Sequence, residues 1–152
     1  MENNKAAIET LNDLVMINND RIVGYEKALK EIEADDEDLR SVFLALIDQS
    51  HGFKVQLGTE IEVLGKDIET GTSISGKIHR AWIEVKTAFS GHSEKSVLEE
   101  CEFGEDAIKK AYKAALEEDH VPNYIRDILR DQLSDLEEAH DEIKALRDSA
   151  QS

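Results

Sequence analysis

The chain has 152 residues, with 34 Asp and Glu against 18 Lys and Arg and a formal net charge of −16. That length suits one domain over 1–152 with a buried core, and the charge argues against nucleic-acid binding, which needs clustered Lys and Arg. A single proline, few glycines and much Ala, Leu, Glu and Lys favour helix throughout.

Apolar residues spaced by three and four predict a first helix over 4–33, with Ile8, Leu11, Leu14, Val15, Ile22, Tyr25, Leu29 and Ile32 on one stripe. A break falls at Ala34-Asp35-Asp36. Asp36 is the expected N-cap of a second helix over 37–64, with Glu37 and Asp38 at its positive end. Leu39, Val42, Phe43, Leu46, Phe53, Leu57, Ile61 and Leu64 form the second stripe. Gly65 is placed just past it, where a left-handed conformation is expected.

Residues 66–92 read as a long connection, polar and Gly-containing at first. A short amphipathic helix follows over 76–89, carrying Ile78, Trp82, Val85 and Phe89. Ser93 or Ser96 is expected to cap a third long helix over 94–118, with Val97, Leu98, Cys101, Ile108, Tyr112, Ala115 and Leu116 inward. After the turn at Asp119-His120-Val121, Pro122 is expected at the first position of a last helix over 122–149. Its stripe is Ile125, Ile128, Leu129, Leu136, Ala139, Ile143 and Leu146. Two tight turns and one long connection predict an all-α, ferritin-like four-helix bundle whose crossover holds a short fifth helix.

Cys101 is the only cysteine, so no intrachain disulfide forms. Met1-Glu2-Asn3-Asn4-Lys5 leads into no apolar run, and no window approaches the ~20 apolar residues of a membrane span. A cytoplasmic protein is expected, without membrane partners. No nucleophile elbow or phosphate-binding glycine loop appears.

A di-iron bundle needs carboxylates from four helices and Glu-x-x-His on two of them. Glu137 and His140 have that spacing, and Asp48 and His51 form an Asp-x-x-His. At ~100° per residue, however, Asp48 and Glu137 point away from their apolar stripes, His51 lies off its stripe, and only His140 approaches the boundary. The residues that interrupt the stripes inward are Asn18, Ser50, Glu105 and Gln132, one per helix. Folding at the two turns places them in neighbouring mid-bundle layers, with Tyr25, Tyr112 and His140 within reach. A buried carboxylate among amides and hydroxyls suits a hydrogen-bonded layer that fixes helix register.

Gly24-Tyr25-Glu26, Ile78-His79-Arg80-Ala81-Trp82, Cys101-Glu102-Phe103-Gly104-Glu105-Asp106 and the ending from His140 to Asp148 carry a resemblance over nearly the whole chain. The sequence resembles an uncharacterised bacterial family of ferritin-like four-helix-bundle proteins, a domain of unknown function. The resemblance implies the crossover bundle and no established reaction. It singles out Glu105, and it assigns His79, Arg80 and Trp82 to anchoring the crossover.

The expected function is therefore non-catalytic and without a cofactor, exerted through self-association or a protein partner. Ile17, Val23 and Phe103 fall off the main apolar faces and support self-association, although Phe103 could instead pack beneath the crossover. The alternative is iron binding by a reduced ligand set, with Glu102, Glu105, Glu137 and His140 as candidates.

Overall fold

A computed structural model describes residues 2–32, 36–65 and 94–150. Among them are four α-helices and no strand: α1 (Glu2–Glu31), α2 (Glu37–Leu64), α3 (Glu94–Leu116) and α4 (Asn123–Ser149). The expected short helix at 76–89 and the anchors His79, Arg80 and Trp82 lie outside the described residues.

Side-chain pairings fix the helix directions. Residue 18 meets 50, and Tyr25 meets Phe43, so α1 and α2 are antiparallel. Residue 18 also meets 112, and 25 meets 105, so α1 and α3 are antiparallel. Residue 112 meets 132, and 102 meets 147, so α3 and α4 are antiparallel too. It follows that α2 and α3 run the same way, with the end of α2 and the start of α3 at opposite ends of the bundle. Each helix packs on two neighbours, α1 on α2 and α3, and α4 on α3 and α2. The pairs α1/α4 and α2/α3 are the diagonals.

The ends of the helices follow local chemistry. Asp36 caps α2 by accepting a hydrogen bond from the Leu39 amide at 3.2 Å. Gly65 ends that helix with φ −94°, not in the left-handed region expected of it. Close approach explains the glycine: a Cβ there would stand 2.9 Å from the Ile61 carbonyl oxygen, which its own amide already contacts at 2.8 Å. Helix α3 begins at Glu94, so Ser96 lies within its first turn and does not cap it. Pro122 has extended backbone and precedes α4 as its cap residue, one position earlier than expected.

The interior divides into two apolar clusters. One gathers Leu11, Leu14, Ile17, Phe53, Leu57, Ile108, Tyr112, Ile125 and Leu129 near the α3–α4 turn. The other gathers Ile22, Tyr25, Phe43, Leu46, Val97, Leu98 and Ile143 at the opposite end. Burial of each large aliphatic side chain contributes roughly 1.5–3 kcal/mol. Ile17 belongs to this core, fully buried, and not to an outer stripe. The reason is that α1 faces two neighbours, so its buried arc is wider than a single stripe.

Candidate functional site

Where the two clusters meet lies a layer of buried polar side chains from α1, α2 and α3, which continues into the first cluster as far as Gln132 of α4. Asn18, Ser50, Glu105 and Gln132, the residues that interrupt the apolar stripes, are all at most 1% exposed. The layer also contains Arg21, at 4% exposure, which sequence reasoning had not placed inside. Arg21 is its hub. Its Nε and Nη2 donate to Glu105 Oε1 at 3.0 and 2.8 Å, and its Nη1 donates to Ser50 Oγ at 2.9 Å. The Tyr25 hydroxyl donates to the same Glu105 oxygen, and the guanidinium lies 5.6 Å from the centre of the Tyr25 ring.

From Ser50 the network continues across the bundle. Ser50 Oγ donates to Asn18 Oδ1 at 2.9 Å, and Asn18 Nδ2 donates to the Tyr112 hydroxyl at 3.0 Å. Tyr112 donates in turn to Gln132 Oε1 at 2.6 Å, and Gln132 Nε2 donates to Gln56 Oε1 at 2.8 Å. Asn18 Nδ2 also reaches the Leu14 carbonyl at 2.9 Å, the bond of a polar residue turned back onto its own helix. Glu105 Oε2, buried, has no hydrogen-bond partner among the described residues.

Burial governs the proton chemistry. Desolvation raises the Tyr25 phenol well above its ordinary range, and the adjacent Glu105 charge adds to the rise. Desolvation also raises Tyr112, against the lowering effects of the Asn18 hydrogen bond and of Arg21. The Cys101 thiol is pushed up by burial and by the charges of Glu105 and Glu100. These are protonated, unreactive groups at neutral pH, which suits hydrogen-bond donors and does not suit a nucleophile.

The layer does not fit a central metal ion. Its one carboxylate is Glu105, whose Oε1 is taken by Arg21 and Tyr25. A guanidinium holds the position a cation would occupy and repels one. Of the four candidate ligands Glu102, Glu105, Glu137 and His140, only Glu102 and His140 come together, at 3.6 Å. Glu137 is exposed on the outer face of α4, and Asp48 and His51 are exposed on α2. Asp106, absent from that candidate set, completes a trio with Glu102 and His140.

Arg21 had a signal in the sequence. Leu14, Asn18, Arg21 and Tyr25 are spaced by four, three and four, so they share one helical face. A charged residue flanked on that face by two inward ones is a candidate for burial.

The family model described as Domain of unknown function (DUF2383) matches residues 6–118, well over half of the chain, and the chain belongs to that family. The matched span holds Asn18, Arg21, Ser50 and Glu105 and ends before Gln132 and His140. No curated protein and no solved structure matches the chain.

Proposed function

We propose that this DUF2383 protein is a non-catalytic, cytoplasmic bundle of ferritin-like connectivity that acts through its outer surface, by self-association or by binding a protein partner. The observation that carries this reading is the Arg21–Glu105 pair, 2.8 Å apart and nearly excluded from solvent. It fills the mid-bundle position with a matched positive and negative charge and leaves register-fixing as the layer's role. The shared direction of α2 and α3 is in keeping with a crossover, in which His79, Arg80 and Trp82 would anchor the connecting segment to the bundle. No described helix is long and apolar enough to cross a membrane.

Apolar residues on the outer face support association. Val55 is 71% exposed, Val63 54% and Leu44 49%. On α2 these three fall within an arc of about 100°, at ~100° per residue, and so form one outer stripe. Val23 on α1 is 54% exposed and lies level with Leu44, since residue 25 pairs with 43. Sedimentation equilibrium tests the reading. The expected result is a mass above one chain at micromolar concentration, reduced to one chain by Val55→Glu with Val63→Glu at unchanged helicity. A single-chain mass at every concentration removes self-association and leaves the partner form.

A further inference from the structure

Outside the core layer, three ionisable side chains converge between α3 and α4. Glu102 and Asp106 are four residues apart on α3, so their carboxylates leave the same face. His140 meets them from α4. Its Nε2 lies 2.8 Å from Asp106 Oδ1 and 3.6 Å from Glu102 Oε2. One ligand atom from each residue falls within 4.8 Å of the others. On the other side of the ring, Nδ1 lies 3.2 Å from Asp141 Oδ1. The remaining Glu102 oxygen, Oε1, accepts from Arg147.

A neutral imidazole carries a single ring proton. The tautomer with that proton on Nδ1, toward Asp141, leaves Nε2 as an electron-pair donor beside two carboxylates, whereas the other tautomer lets Nε2–H donate to Asp106. A cation that binds here selects the first tautomer. A carboxylate behind a ligating histidine is the arrangement that fixes tautomer and ring orientation at metal sites. Ligand atoms held about 2.0–2.2 Å from a common ion stand about 3.0–3.5 Å apart in octahedral or tetrahedral geometry. The 2.8 and 3.6 Å separations bracket that range.

We propose that Glu102 Oε2, Asp106 Oδ1 and His140 Nε2 form a divalent-cation site on the α3–α4 face, separate from the mid-bundle layer. Two carboxylates balance the charge of a divalent ion. The imidazole selects a first-row ion such as Zn2+ or Co2+ over Mg2+ and Ca2+, which take oxygen ligands. The Asp106 side chain is 50% exposed against 13% for His140, so the site opens to solvent at Asp106 and water completes the coordination. Arg147 opposes loading, because its guanidinium draws on Glu102. The site needs neither self-association nor a partner protein.

The full chain, stripped with chelator, is titrated with Zn2+ by calorimetry, and with Co2+ by visible absorption. The expected result is one Zn2+ per chain, weakened at least tenfold by His140→Ala and by Asp106→Asn at unchanged helicity. Asp141→Asn weakens binding about tenfold through loss of ring orientation, and Arg147→Gln tightens it by freeing Glu102. Co2+ develops a visible band that His140→Ala abolishes. Asp106 is half exposed, so its variant keeps the fold and retains the test. Absence of binding overturns the proposal, and so does binding that His140→Ala and Asp106→Asn leave unchanged, which is diffuse attraction to an acidic surface.

Discussion

Tyr25 and Tyr112 hold their hydroxyls in the interior, at 4% and 0% residue exposure. Both phenols are raised above the ordinary value of 10.0, chiefly by desolvation. In the unfolded chain they ionise near that value, while in the folded chain they stay protonated. The stability each contributes is complete below its unfolded pKa and is lost as pH climbs from there toward the folded pKa. Cys101, with an ordinary value of 9.0, behaves in the same sense and begins earlier. Urea midpoints are therefore expected to fall as pH rises above about 9. A shallower fall is expected in a variant combining Cys101→Ala with Tyr112→Phe, and parallel profiles for variant and parent would count against burial as the cause. The burial of Asn18, Ser50, Glu105 and Gln132 was legible because each breaks an apolar stripe. Arg21 left a fainter signal: it shares a face with Leu14, Asn18 and Tyr25, but an arginine is ordinarily solvated, and only its paired carboxylate on another helix makes burial tolerable.

At the scale of elements, periodicity located all four long helices to within about two residues, the usual uncertainty of helix ends. The ends themselves depend on contacts remote in sequence. The α3–α4 turn is an example: Arg126 Nη1 donates to the Leu116 carbonyl at 2.6 Å and its Nε to the Val121 carbonyl at 2.9 Å, while Nη2 reaches Glu118. One side chain from the first turn of α4 thus bonds the last carbonyl of α3, at Leu116, and two carbonyls of the turn. Thr10 of α1 meets His120 of the turn at 3.1 Å. Replacing Arg126 by Ala should lower stability by about 1–3 kcal/mol, the range for bonds to charged donors. Hydrogen exchange should show faster exchange at 117–121 while the centre of α3 stays protected. Uniform loss of protection along both helices would mean that the arginine serves the whole bundle and not its turn.

At the scale of the molecule, the part of the polar layer around Arg21 sits where one apolar cluster gives way to the other, while Gln132 of α4 lies within the first cluster. On α1 the change falls between Ile17 and Ile22, on α2 between Ile47 and Phe53, and on α3 between Leu98 and Ala107. Asn18, Arg21, Ser50 and Glu105 occupy those intervals. A slip of α1, α2 or α3 by one turn would part Arg21 from Glu105 or from Ser50, so the layer specifies register where apolar packing alone would not. The all-α, four-helix character was legible because it rests on periodicity. The charged hub was not, because ion pairing across helices is a property of the assembled layer. A double-mutant cycle on Arg21→Met and Glu105→Leu, followed by urea denaturation, tests this most directly. Each single change should lose about 3–5 kcal/mol by stranding a buried charge, and the pair together should return to within about 1 kcal/mol of the parent. Singles that lose less than about 1 kcal/mol, or a double variant that loses the sum of both, would contradict a buried, mutually dependent ion pair at the centre of the bundle.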